Sequence, residues 1–284
     1  MSLDEDDASS WDVGPAQERK EADLVSNRLS ELYEKPLTGK FDAAHLQAIH
    51  GYIFQDVPRH QPGVVRGDSD LWAKNRALED RAGVYEVRYL AEGVTAKLKA
   101  ILDDFGGPGA LRGLSADDAA TKLARLYGDL DHTHGFYEGN SRTLREFTRT
   151  LAAEAGFSLD WTGTNVTAEH RNALYAARDV EVLSRHYPGV TPENAGTRDA
   201  YEAALQVESF RKGLGDQPLR DLIRAALTES RTLTPAQEQR PKADTAESYW
   251  AGVARKGQGG DAGSPDATIE QDAAKQATRG PRLK

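Results

Sequence analysis

The strongest constraint on the fold lies between Ser115 and Gly156, where two amphipathic segments flank a short turn containing Gly135 and Gly139. Ser115 can accept a hydrogen bond from a first-turn amide. Asp118, three residues on, takes the capping-box place usually held by Glu. Ala120, Leu123, Tyr127 and Leu130 follow in a three-then-four rhythm, and its continuation lands on His134. A second helix is expected from Asn140 to Ala155, ended by Gly156. Elsewhere the same periodicity predicts helices over 17–32, 42–54 and 84–102, the last closed by Gly106, Gly107 and Pro108, with two or three more between 167 and 226. The stretch from Val57 to Ser69, rich in Pro, Gly and polar residues, reads as loop or hairpin.

Composition limits what this framework can do. The 284 residues include no Cys, which excludes disulfide scaffolds, zinc knuckles, iron–sulfur clusters and thiol nucleophiles. A net charge of -9 argues against a general nucleic-acid binder, so no nucleic-acid partner is expected. No apolar run approaches the ~18 residues of a membrane span. The acidic start MSLDEDDASS lacks a secretory layout. The expected location is the cytoplasm, or a target cell entered without a cleaved signal peptide. Three regions are expected: a disordered acidic N-terminus over 1–16, a helical domain over 17–228, and a disordered tail over 229–284. The tail ends locally basic, at Arg279, Arg282 and Lys284, and reads as a solvated segment or as a docking or secretion signal.

Chemistry concentrates between His134 and Arg145. A helix N-terminus offers unpaired amides and the positive end of a dipole, a ready anion site. Gly139 lets the backbone turn there, while Asn140 and Ser141 add small polar side chains. Arg142 and Arg145 share one helix face with Arg149, and Leu144, Phe147, Leu151 and Ala155 project from the other. Forked guanidiniums match phosphate oxygens, and two of them imply a polyphosphate. Glu138 would repel phosphates unless a divalent cation sits between, and magnesium favours that arrangement. The local logic is a nucleotide–magnesium site with a histidine at its edge. A metal-dependent hydrolase is the competing reading, from Asp131, His132, His134 and Glu138, but it leaves Gly139, Asn140 and the arginines without a role.

The same segment resembles the signature of the Fic (fido) family, His-x-Phe-x-Asp/Glu-Gly-Asn-x-Arg-x-x-Arg, matched at all seven fixed positions of twelve. Weaker likeness extends upstream, from Gly39, Phe41 and Asp42 through His45, Leu46, Ile49 and His50 to Phe54 and Val57. Gly63 and Arg66 fall where the family often has Trp-Ala-Gly-Glu-x-Arg, without its Trp, Ala and Glu. The resemblance covers roughly residues 37 to 160. It implies an all-α fold: a Fic-type helical core with one small β-hairpin flap, here placed over 66–82. It implies transfer of AMP from ATP to a Ser, Thr or Tyr hydroxyl of a target protein, in a toxin or effector setting.

On that reading His134 is the general base. Gly139, Asn140 and Ser141 form the anion nest, Arg142 and Arg145 hold the outer phosphates, and Glu138 holds the magnesium ion. A helix C-terminus would favour protonated His134, so its surroundings must offset that. Phe136 is read as core packing. Two departures stand out: Gly135 replaces a frequent Pro, and Ser141 replaces the Gly of AMP-transferring members and the Lys of the phosphorylating Doc branch. The alternatives are therefore Doc-like kinase chemistry or a non-catalytic binding protein. The family's inhibitory pattern Ser/Thr-x-x-x-Glu-Gly/Asn has no clean copy. Ser30 with Glu34 and Thr234 with Glu238 both fail at the sixth position, so a separate small antitoxin-like partner is the expected brake if there is one.

Overall fold

The computed structural model describes residues 14–79 and 83–229. The readings of the tail, including Thr234 and Glu238, lie outside the described residues, as does nearly all of the acidic N-terminus. Helix α1 (Pro15–Glu34) opens on a proline, whose missing N–H costs nothing in a first turn. It is followed by α2 (Ala43–Phe54), α3 (Val94–Phe105), α4 (Ala116–Thr133), α5 (Asn140–Glu154), α6 (Ala168–His186), α7 (Arg198–Leu214) and α8 (Pro218–Ala226). Side-chain caps fix several starts. The Asp42 carboxylate accepts from His45 N–H at 2.9 Å, and Thr167 accepts from His170 N–H at 3.2 Å. Ser115 accepts from Asp118 N–H at 3.1 Å and donates back to the Asp118 carboxylate at 2.7 Å, a shortened capping box.

The centre is α4 against α5. Leu123, Tyr127 and Leu130 from α4 meet Leu144, Phe147 and Leu151 from α5, all buried. Leu46, Ile49, Ile53 and Phe54 of α2 close one side, and Leu219 and Ile223 of α8 another. Each such side chain contributes roughly 1.5–3 kcal/mol on burial, so the two motif helices are the best anchored part of the fold. Among the described residues no helix is long and apolar enough to cross a membrane.

The helix expected over 84–102 is not continuous. Val84–Arg88 is strand β2, paired antiparallel with β1 (Ala73–Ala77), with Lys74 opposite Val87 and Arg76 opposite Tyr85. Helix α3 begins only at Val94, after Gly93 turns through φ 72°. Tyr85, Val87 and Tyr89 alternate in a period of two, which a strand satisfies and a helix does not. The hairpin is therefore displaced relative to the expected 66–82. A second pair was not expected: β3 (Phe157–Leu159) runs antiparallel to β4 (Leu227–Glu229). Helix α6 packs against α4 and braces the hairpin. Its Asp179 carboxylate takes the Tyr85 hydroxyl at 2.6 Å and the Arg76 guanidinium at 2.7 Å.

Candidate functional site

Helix α4 ends at His134, which adopts φ 48° and ψ 59° while its N–H still bonds Leu130 O at 3.1 Å. A left-handed cap is usually glycine, and a side chain there costs about 1–2 kcal/mol. Arg66 helps hold it. Its guanidinium donates to the carbonyl of His134 at 2.6 Å, of Thr133 at 3.0 Å, of Gly67 at 3.2 Å and of Leu90, and its N–H bonds Gly135 O at 2.9 Å. Arg66 thus satisfies the carbonyls left over at the end of α4 and pins the following turn. Burial pulls its own pKa down to about 10.

The His134 imidazole is buried and lies 4.0 Å from the Tyr89 ring, centroid to centroid. Neither ring nitrogen has a hydrogen-bond partner among the described residues. Burial, followed by the positive charges of Lys74, Arg66, Arg178 and Arg76, holds its pKa well below 6.5. These effects outweigh the helix C-terminus, which favours the protonated form. The ring is neutral at pH 7 and has a lone pair to accept a proton.

The turn from Gly135 to Gly139 is fixed from inside. Asn140 accepts from Phe136 N–H at 2.9 Å and donates to Phe136 O at 2.6 Å, so its side chain is engaged in shaping the loop. Phe136 is buried and stacks on His50 at 3.9 Å, with 4° between the planes. His50 bridges two backbones, donating from Nε2 to Glu138 O at 3.0 Å and accepting at Nδ1 from Gly63 N–H at 2.9 Å. Those partners fix its tautomer, and burial lowers its pKa to about 4. Gly139 has φ 78°, and a Cβ there would stand 2.1 Å from Phe54 Cζ. No side chain caps the start of α5, so its first-turn amides carry the anion-binding potential of the helix end.

One cleft collects these groups: Lys74 and Arg76 from β1, Tyr89 after β2, His134, Glu138 through Arg142, and Arg178 from α6. Six of the seven residues singled out in the sequence are therefore together, namely His134, Glu138, Gly139, Asn140, Ser141 and Arg142. Arg145 is not among the lining residues; its Nε points back to Ser141 O at 3.4 Å. Being three residues further on, it sits most of a turn below the helix mouth. Arg149 binds Glu146 at 2.7 Å and Leu32 O at 3.1 Å, tying α5 to α1. Arg142 lies over the Phe54 ring at 5.0 Å and pairs with the Glu138 carboxylate at 2.8 Å. The hydrolase reading loses its ligand set. Asp131 is taken by the Arg178 fork at 2.9 Å through both oxygens, and His132 faces His186 at 5.7 Å. Among the described residues no three His, Asp or Glu side chains converge as a metal cluster.

With this geometry in view, comparison with known proteins bears on the family. Residues 40–152 match the Fic/DOC family. This segment is similar to Fic/DOC family domains. The protein adenylyltransferase VbhT of Bartonella schoenbuchensis is 32% identical over 144 residues, which are 51% of this chain and 28% of that protein. A protein adenylyltransferase of Bartonella henselae is 25% identical over 143 residues, 48% of this chain and 26% of its own length. The chain thus spans about a quarter of the length of these curated relatives. Among solved structures, the VirB-translocated effector BepC of Bartonella tribocorum with bound AMPPNP superposes with a TM-score of 0.51 at 20% identity, over 76% of this chain and 89% of that one. The N-terminal Fic domain of a Bartonella quintana effector gives 0.51 at 22% identity, over 76% and 85%. At these identities the likeness establishes the Fic fold, mostly helical with a small hairpin.

Three groups at this site carry no weight in the sequence taken alone. Lys74 and Arg76 look like charges that weaken a strand. Their two-residue spacing was the available signal that both face one way. Arg178 lies beyond the matched region. His50 belongs to the upstream likeness, but nothing in the sequence announces that it bridges Gly63 and Glu138.

Proposed function

We propose that this chain transfers AMP from ATP to a Ser, Thr or Tyr hydroxyl of a target protein. The observation that carries the reading is a neutral, buried imidazole in the same cleft as an uncapped helix N-terminus, a carboxylate and Arg142. Relatives that match this domain are named protein adenylyltransferases, and a structural neighbour holds AMPPNP. The α5 amides with Gly139, Asn140 and Ser141 would seat phosphate oxygens, Asn140 chiefly by holding the loop. Arg142 would turn from Glu138 to the outer phosphates, joined by Arg145 once its side chain extends past the helix mouth. His134 would take the hydroxyl proton as that oxygen attacks the α-phosphorus. The bond from the α-phosphorus to the bridging oxygen breaks and pyrophosphate leaves.

Glu138 is a hard oxygen donor inside the cleft, and with phosphate oxygens it forms the donor set magnesium prefers. Glu138 would hold that ion, which when bound neutralises phosphate charge. No internal brake is built into this reading. On α1, Ser30 donates to Ser26 O at 3.0 Å within its own helix and Glu34 is exposed at the helix end. Restraint would come from a separate antitoxin-like partner, in a toxin or effector that works inside a cell. Incubating protein and magnesium with α-labelled ATP tests the chemistry. Label should stay on protein with wild type and disappear with His134→Ala. Retention of γ-label instead would make the enzyme a kinase of the Doc kind and end the AMP reading.

A further inference from the structure

Strand β1 buries a Lys and an Arg where an inward-facing strand position usually carries an apolar side chain. Lys74 and Arg76 are 7% and 6% exposed, two residues apart and therefore on one face, and both line the cleft. The two cations differ in chemistry. Arg76 is committed to Asp179 at 2.7 Å, and Arg178 is committed to Asp131 through a fork at 2.9 Å; both brace the hairpin and α6 around the site. Lys74 is a compact charge on a flexible stem, able to follow an oxygen that a rigid fork could not reach. It reaches the cleft from strand β1 of the hairpin, outside the motif helices. It lines the same cleft as His134.

The sign of the cleft bears on its ligand. Lys74, Arg76, Arg142 and Arg178 line it against one lining carboxylate, Glu138; Asp179 and Asp131 stand behind Arg76 and Arg178, and the N-terminus of α5 adds further positive potential. Gathering like charges in a largely desolvated space is unfavourable unless an anion joins them. A polyphosphate supplies several negative oxygens at once. We propose that Lys74 is a nucleotide-binding residue that grips the phosphates of the bound nucleoside triphosphate from the hairpin. The inference rests on the nucleotide reading given above and adds a contact from outside the signature segment. The hairpin thereby becomes part of the nucleotide site as well as its cover.

Calorimetry with a non-hydrolysable ATP analogue and with adenosine, on wild type, Lys74→Met and Lys74→Arg, tests the contact. Loss of one charge-assisted bond to phosphate should weaken the analogue about ten-fold or more in Lys74→Met. Adenosine, which has no phosphate, should change less than about three-fold, and Lys74→Arg should retain most of the analogue's affinity. Wild-type affinity for the analogue in Lys74→Met overturns the proposal and assigns Lys74 to the target protein or to the fold. Equal weakening of analogue and adenosine in both variants also overturns it, because a distorted pocket would do that. A wild type that binds no analogue would instead sink the nucleotide reading itself, and this contact with it.

Discussion

At the scale of single residues, the site depends on side chains that hold backbone rather than touch ligand. His50 is the clearest case, since its two nitrogens join Gly63 to Glu138 while its face supports Phe136. His50→Phe keeps the stacking but leaves a buried N–H and a buried C=O without partners, at about 1–3 kcal/mol each. Urea unfolding should show that loss, and kcat should fall with it because Glu138 is no longer held. Gly139 is constrained twice, by φ 78° and by a 2.1 Å approach to Phe54 Cζ. Gly139→Ala should cost about 2–4 kcal/mol in the same assay. His134 supplies a prediction of a different kind. Its folded pKa lies well below 6.5, so the ring is already neutral there. As pH falls from 8, kcat/KM should stay level through 6.5 and drop only at lower pH. A descending limb centred at or above 6.5 would show that the base is not this buried imidazole.

Among elements, helix α6 decides how the hairpin is aimed. Asp179 joins Arg76 of β1 to Tyr85 of β2, and Tyr85 also packs on Phe210 of α7 at 5.4 Å. Asp179→Asn keeps the shape but leaves the Arg76 charge without its carboxylate, a loss on the order of 3–5 kcal/mol for a buried pair. The hairpin should become the first part of the fold to exchange its amides, measurable by hydrogen exchange, while amides of α4 and α5 stay protected. This bracing explains what the sequence could and could not tell. The motif helices were legible because capping at Ser115, the stripe from Ala120 to Leu130 and the turn at Gly139 are local signals that agree. The hairpin lies beyond its expected bounds because the alternation of Tyr85, Val87 and Tyr89 is short and runs directly into the apolar pattern of α3. Strands β3 and β4 are three residues each and meet across a long stretch of chain, so no local pattern announces them. Spacing puts Arg145 and Arg142 on one helix face, but does not give how far along the helix the cleft reaches.

Over the whole molecule, the buried histidines link folding to pH. Burial lowers the pKa of His50 to about 4, of His60 to about 3 and of His132 to about 4, and it holds His134 well below 6.5. An unfolded histidine titrates near 6.5. Above that value neither state binds the proton, and stability does not depend on these groups. Below it the unfolded chain takes up protons that the folded chain refuses, so stability falls with pH until the folded values are reached. Each group contributes up to about 1.4 kcal/mol per pH unit. Against a usual total of about 5–15 kcal/mol, four such groups should make the domain progressively less stable as pH falls below 6.5. His60 isolates one of them. It stacks on Phe54 at 5.3 Å and sits near Arg142, Arg59, His50 and Glu21, the last 3.8 Å away, with the cations reinforcing burial and Glu21 opposing it. Urea midpoints at pH 7, 6 and 5 should drop steeply for wild type, and His60→Gln should flatten that slope by about one proton. If the two slopes were the same, His60 would be taking up its proton in the folded state too. Acid loss of the fold would then belong to the carboxylate pairs, such as Glu21 with Arg59, whose titration lies lower.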